Sequence, residues 1–237
     1  MNAFIITNGR IFDGERFHDG MNVRVEDGRI AGLSSRPPAG DTPVHDLQGR
    51  LLAPGFIDLQ VNGGGGVLFN DAPTVDTLRR IGAAHARCGT TAFLPTLISA
   101  PAATTRQAVE AVRAALAEGV PGVLGIHLEG PFLAAERRGI HAGEQVRPMA
   151  EADLEWLASL RDLPVLVTVA PEVVGDAAIR RLAAAGLTVF AGHSAATYEE
   201  TRSALEAGLG GFTHLFNAMA PFGHRSPGIV GAALEDR

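Results

Sequence analysis

The sequence predicts an α/β fold: a parallel (β/α) barrel of the TIM type, running through about six βα units where a complete one has eight, after a small N-terminal β-sandwich segment. Three observations predict it. From residue 52 onward, short apolar runs alternate with helical patterns, as βαβ units on a parallel sheet require. Before that point the apolar spacing has the period of strands alone. Finally, Glu129, His193 and His214 each stand where an apolar run stops and a loop begins, the place from which barrel active sites are built.

Residues 1–51 read as the first domain. Met21, Val23 and Val25 alternate with Asn22, Arg24 and Glu26, and the run breaks at Asp27-Gly28 before Arg29-Ile30, which predicts a hairpin with a primed turn. Pro37-Pro38-Ala39-Gly40 marks a loop, and a short strand around Val44 to Leu47 closes the segment.

Residues 52–237 read as the barrel domain. Six strands are expected, at Leu52 to Val61, Thr91 to Leu97, Val123 to Leu128, Val165 to Val169, Leu187 to Ala191 and Gly211 to Leu215. Helices between them are signalled by Leu78/Ile81/His85, Val109/Val112/Leu116, Leu154/Leu157/Leu160, Ile179/Leu182 and Tyr198/Leu205. Their ends are marked by a capping box at Thr197 to Glu200, by Pro101 in a first turn and by Gly186 after a last one. At roughly thirty residues per unit, the chain reaches its sixth strand near its end, so the barrel is expected to be incomplete.

A chain of 237 residues with 46% hydrophobic residues can bury a full core, whereas disorder would need fewer apolar residues and more charge. A formal charge of −6 leaves no basic stripe for nucleic acid. No apolar run is long enough to span a bilayer, and the start has no basic stretch followed by a long apolar one, so a soluble, cytoplasmic protein is expected. The one cysteine, Cys88, falls in a helical pattern and reads as a buried structural thiol.

The chemistry concentrates around Gly125-Ile126-His127-Leu128-Glu129-Gly130-Pro131, answered by Ala191-Gly192-His193-Ser194 and Thr213-His214-Leu215. One carboxylate and two imidazoles form a divalent metal site, and zinc takes this ligand set while keeping a position open for water. Asp58, Gln60 and Asn62 alternate along the first barrel strand and should face its interior. Amides are poor zinc ligands, so one metal is expected rather than two; hydrogen bonding at the bottom of the pocket is an equal reading for these three residues.

Gly63-Gly64-Gly65-Gly66 could form an anion-binding nest, but a turn is preferred because no P-loop lysine follows. Two cationic loops, Arg137 to His141 and His224 to Gly228, fall on the active-site side of strands three and six. His141 and Arg225 read as phosphate or carboxylate recognition, Arg137 and Arg138 as solvated charges. There is no Gly-x-Ser-x-Gly elbow, which disfavours a side-chain nucleophile.

Taken together, Pro54-Gly55-Phe56-Ile57-Asp58, His127-Leu128-Glu129-Gly130-Pro131, Ala191-Gly192-His193-Ser194 and Thr213-His214-Leu215-Phe216-Asn217-Ala218-Met219 resemble the N-acetylglucosamine-6-phosphate deacetylases, metal-dependent hydrolases of the amidohydrolase superfamily. The resemblance implies metal ligands at Glu129, His193 and His214. It implies substrate contacts at Ile140 and His141, at Asn217 and Ala218 through their backbone, and at Arg225. It also implies a homodimer that hydrolyses the N-acetyl group of an amino sugar phosphate, with one divalent metal, most simply Zn2+. The family's catalytic aspartate falls beyond Arg237, so no catalytic general base is expected in this chain, and the chain by itself is expected to be inactive. The alternative is a non-catalytic metal-binding remnant, or a fragment of another amidohydrolase, that acts only through subunit association.

Overall fold

The computed structural model describes residues 3–38 and 40–236. Of the loop expected at residues 37–40, Ala39 therefore lies outside the described residues. The chain divides into two compact units, Met1–Phe56 and Ile57–Arg237.

The first unit is two small sheets. β1 (Ala3–Thr7) runs antiparallel to β4 (Asn22–Glu26) and parallel to β6 (Val44–Asp46), and β4 pairs with β5 (Arg29–Ser34). The second sheet joins β2 (Arg10–Phe12), β3 (Phe17–His18) and β7 (Leu51–Leu52). The expected hairpin is present: Asp27 and Gly28 have φ of 47° and 77°, the pair of positive values that a type I′ turn needs. Ile5, Ile11 and Val23 form the buried core of this unit.

The second unit is built on a six-stranded sheet in the order β15-β14-β13-β12-β11-β8. These strands are β8 (Phe56–Val61), β11 (Thr90–Ile98), β12 (Ile126–Glu129), β13 (Val165–Val169), β14 (Thr188–Ala191) and β15 (Gly211–Phe212). β11 to β15 pair in parallel, each with its successor in sequence, as in a (β/α) barrel. All six expected strands exist, with shifted ends. The first is split: Leu51–Leu52 joins the small sheet and Pro54, which has no N–H to give a ladder, interrupts the run before Phe56. The third begins at Ile126; Val123 makes only an isolated bridge to Phe93, and the chain passes through Gly125, where a Cβ would lie 2.1 Å from the Pro164 carbonyl oxygen.

α1 (Val75–Ala86), α2 (Ala102–Ala117), α3 (Glu151–Ala158), α4 (Pro171–Ala184, interrupted at Gly175) and α5 (Tyr198–Glu206) connect the strands. Leu78, Ile81, Val109, Val112, Leu157, Ile179 and Leu182 are buried as their spacing implies. On α5 the inner face is instead Thr201 and Ala204, with Tyr198 and Leu205 half-buried. The capping box closes as read: Thr197 accepts from the Glu200 N–H at 3.1 Å and Glu200 accepts from the Thr197 N–H at 2.8 Å. A further helix, α6 (Gly228–Glu235), was not legible, because Gly228 and Gly231 depress helix propensity; burial of Ile229, Val230 and Ala232 outweighs that.

Two readings are corrected or decided here. Cys88 is exposed, because α1 ends at Ala86 and the thiol falls in the following turn, its N–H bonded to the His85 carbonyl. The tetraglycine is a tight hairpin of β9 (Gly63–Gly64) and β10 (Val67–Leu68), with Gly65 and Gly66 at φ of 61° and 80°. No helix among the described residues is long and apolar enough to cross a membrane.

Candidate metal centre

Glu129 is the last residue of β12, while His193 and His214 follow the ends of β14 and β15 by two residues each. The parallel register stacks these ends side by side, which is how residues 64 and 85 positions from Glu129 reach it. His193 Nε2 and His214 Nε2 each lie 3.0 Å from Glu129 Oε1 and 3.1 Å from each other. Among the described residues this is the group of His, Cys, Asp and Glu side chains placed to hold a metal ion.

Protons decide what this triangle is for. His193 Nδ1 lies 2.8 Å from the Arg137 carbonyl oxygen and His214 Nδ1 lies 3.0 Å from that of Asn217. A carbonyl only accepts, so each Nδ1 carries a ring proton, and whenever the rings are neutral each Nε2 lone pair faces inward, onto a carboxylate oxygen. Three lone pairs facing one point repel unless a positive charge sits among them. Ligand atoms 2.0–2.1 Å from a tetrahedral zinc stand about 3.3 Å apart, close to the observed triangle. The Nδ1–H to carbonyl bonds are the usual outer support of a metal-bound imidazole.

Further contacts hold each candidate ligand. Gln60 donates to Glu129 Oε2 at 3.0 Å, so the amide orients the carboxylate and leaves Oε1 for the centre. The His193 carbonyl accepts from the Ala134 N–H, and Glu172 accepts from the Ser194 hydroxyl at 2.7 Å and the Ala195 N–H at 2.6 Å. His193 and His214 have φ of 48° and 34°, joined by Phe216 at 77° and Ala218 at 54°. Such values are uncommon outside glycine, and they gather here where bonds to neighbouring segments over-determine the backbone.

The charges are tuned by position. Burial by itself pushes the Glu129 carboxyl up, but hydrogen bonds with His193 and His214 outweigh it and hold the group well below the usual range. With no cation among these groups, the bond to Glu129 favours a proton on His214 and so raises it, against the pull of burial. Burial lowers His127 to about 4, and burial together with neighbouring His193 lowers His141 to about 4.

A cavity of about 570 Å³ opens on the triad, within the usual range for small-molecule sites. Gln60, Asn62, Ile140, His141, Asn217 and Ala218 line it, as do the three ligand-type residues. His141 is buried, and both the hydroxyl and the N–H of Ser99 point at its Nδ1, at 2.7 and 3.3 Å. Because that N–H can only donate, the neutral ring carries its proton on Nε2. Ile140 is 86% exposed at the rim. The Asn217 carbonyl is taken by His214 and the Ala218 carbonyl by the Ser194 N–H, while the Ala218 N–H has no partner among the described residues.

Two predicted residues stand apart from this cavity. Asp58 is half-buried and accepts from the Gln60 N–H of its own strand at 3.0 Å. Arg225 is exposed in the turn before α6, outside the cavity wall. Arg138 is tied rather than free, donating to the His141 carbonyl at 2.8 Å, and Arg137 is half-buried with its Nε unpartnered. Sequence reasoning missed Ser99, Thr168 and Glu172 and gave His127 no task. Only His127 carried a signal, as the polar residue two before Glu129 in an otherwise apolar strand.

No family model matches the chain. It is 47% identical over 217 residues to the N-acetylgalactosamine-6-phosphate deacetylase of Shewanella sp. (strain ANA-3), covering 90% of this chain and 55% of that protein. The crystal structure of N-acetylglucosamine-6-phosphate deacetylase from Pasteurella multocida superposes with a TM-score of 0.95 at 34% identity, over 99% of this chain and 62% of that one. A mutant of the Mycobacterium smegmatis enzyme, in complex with N-acetyl-D-glucosamine-6-phosphate, gives 0.88 at 31% identity, over 100% and 61%. The chain spans about half the length of the curated relatives it matches. The similarity to these deacetylases runs along nearly all of this chain, on the same backbone that assembles the triad, and over little more than half of theirs.

Proposed function

We propose that this chain carries the metal-binding and substrate-holding part of a deacetylase that hydrolyses the N-acetyl group of N-acetylglucosamine 6-phosphate, giving acetate and glucosamine 6-phosphate in amino sugar catabolism. The observation that carries the reading is the pair of Nδ1-protonated imidazoles aimed with Glu129 at one point. Glu129, His193 and His214 would hold one divalent cation, Zn2+ by ligand chemistry. Bound there, such an ion supplies Lewis acidity, polarising an amide carbonyl and acidifying water.

The chain's own residues do the rest. Gln60 keeps Glu129 turned to the centre and, with Asn62, occupies the wall where further imidazoles would have invited a second ion. His141, with its Nε2–H free to donate, and the Ala218 N–H would hold the sugar phosphate, with Ile140 and Asn217 shaping the rim. Arg225 would join them as a phosphate-binding cation, serving its own cavity or a partner's in a homodimer. That Glu129 is the one carboxylate lining the cavity among the described residues supports a general base and acid for the departing amine that comes from outside them. A cytoplasmic location goes with this reading.

The test is metal content together with acetate release. One zinc per chain is expected, and in the full-length protein the 6-phosphate sugar should be hydrolysed faster than the free sugar by the value of a charge-assisted contact, ~1.5–3 kcal/mol. Because relatives named for the galacto and for the gluco substrate both match, the two N-acetylhexosamine 6-phosphates are assayed side by side. Two ions per chain, or equal rates with and without phosphate, would overturn the reading.

A further inference from the structure

We propose that His127 is a positioning residue for the metal centre, the middle of a side-chain tie that fixes the strand carrying Glu129 against the strand end carrying His214. The proposal rests on the metal reading above and deepens it.

His127, Thr96, Thr168 and Thr213 are all buried. His127 Nδ1 lies 3.0 Å from Thr96 Oγ1, its Nε2 lies 2.7 Å from Thr168 Oγ1, and Thr168 Oγ1 lies 2.6 Å from Thr213 Oγ1. His127 precedes Glu129 by two residues on the same face of β12, and Thr213 directly precedes His214. In the sheet, β12 and β15 are separated by β13 and β14. Backbone ladders therefore link the two ligand-bearing ends only through two intermediate strands, whereas the His127–Thr168–Thr213 chain links them with side chains alone.

Gly192 on the intervening segment makes this possible. A Cβ there would lie 2.7 Å from Thr168 Cγ2 and 3.1 Å from Thr213 Cβ, so any side chain would push the two threonines apart. One sense of the tie satisfies every group. If Thr96 Oγ1 accepts from His127 Nδ1–H, its own hydroxyl turning to the Leu94 carbonyl 3.4 Å away, then His127 Nε2 accepts from the Thr168 hydroxyl, whose oxygen accepts from that of Thr213. Each donor meets an acceptor, and a buried network satisfied in this way specifies one arrangement. Branched apolar residues normally fill barrel interiors, so four polar side chains here point to a geometric task. The task is at hand: His214 holds a left-handed backbone conformation that must be constrained from outside, and Thr213 is its anchor.

Cobalt(II) titration tests this, read by dissociation constant and by the visible ligand-field spectrum, on the parent chain, Thr168→Val, His127→Leu, His127→Gln and, as a control, His193→Ala. Thr168→Val keeps the packing and cuts the tie, and glutamine can donate toward Thr96 and accept from Thr168. Outer partners of metal ligands are commonly worth 10–100-fold in affinity, so cobalt binding should weaken at least about tenfold in Thr168→Val and His127→Leu, with an altered spectrum. His127→Gln should stay near the parent. Should His127→Leu fail to fold, Thr168→Val decides alone. Parent-like affinity and spectrum in Thr168→Val, or a glutamine variant as weak as the leucine one, would overturn the tie while leaving the metal site standing. A parent chain that binds no cobalt would overturn both.

Discussion

β12 and β13, in the middle of the parallel sheet, are buried along their whole length, whereas the outer strands β8 and β15 are half-buried or exposed at most positions. The candidate ligands follow the same gradient: the side chains of Glu129 and His193 are 3% and 6% exposed, that of His214 21%. The lesson is that the centre is held in two ways. The acid is fixed by the packing of the sheet, while the ring of the outer histidine is held in addition by its own turn, with its Nδ1 on the Asn217 carbonyl and its carbonyl on the Asn217 N–H.

The largest expected effect breaks the comparison at its centre. Glu129→Ala leaves two imidazoles without the carboxylate they converge on, and should weaken zinc binding beyond the ~100-fold upper range of outer-partner losses. His214→Ala should weaken it less, because the partly exposed position admits a water in place of the ring. Metal analysis after dialysis checks both; full occupancy in Glu129→Ala would remove the acid from the ligand set.

Next comes packing. Leu128, 2% exposed on β12, should cost about 2–5 kcal/mol as Leu128→Ala, the range for a buried leucine. Leu59, 44% exposed on β8, should cost well under half of that. Urea unfolding of the two variants at matched pH measures the difference, and equal losses would mean that β8 is packed as firmly as the centre.

The sheet was legible in the sequence because its middle strands are continuous apolar runs and its helices carry a clear stripe, so local pattern and tertiary burial agree at Val165 to Val169 or at Leu78 and Ile81. The three candidate ligands were legible because each is a polar residue stopping such a run. What supports them was not. Ser99 meets His141 across 42 residues, His127 meets Thr168 across 41, and Glu172 reaches Ser194 across 22, separations over which no periodicity carries information. Arg225 illustrates the reverse: a charge beside the site in sequence logic stands exposed in the fold, because α6 begins three residues later and takes the chain away.

The third expected effect is a pH dependence of the central layer. Burial lowers His127 to about 4 from an ordinary 6.5, and His141 moves the same way. The folded chain therefore resists protonation that the unfolded chain accepts. Stability from His127 is complete above pH 6.5 and is lost as pH falls from there through about 4, on the order of 3 kcal/mol in all. Glu129, depressed in the folded chain, adds its own loss only below the ordinary carboxylate range. Unfolding of the metal-free chain, followed from pH 7.5 to 4.5, should show the decline, and His127→Gln should flatten part of it. A flat profile in the parent would contradict the burial-driven shift.

The smallest effect sharpens the contrast from outside. Thr197 caps α5, on an exposed helix end, by accepting from the Glu200 N–H, and Glu200 returns the bond to the Thr197 N–H. Thr197→Ala removes the first of these and should cost ~1 kcal/mol, the usual value of such a cap. It lies past the Ser194–Ala195 turn that Glu172 grips, so the His193 backbone keeps its carbonyl bond to Ala134 and its ring bond to Arg137. Stability should fall by that small amount with zinc affinity unchanged. Calorimetry gives the first quantity and competition with a chromophoric chelator gives the second. A loss of metal affinity in Thr197→Ala would show that the helix end and the ligand loop are one coupled element, and that the grip of Glu172 does not insulate the centre from the periphery.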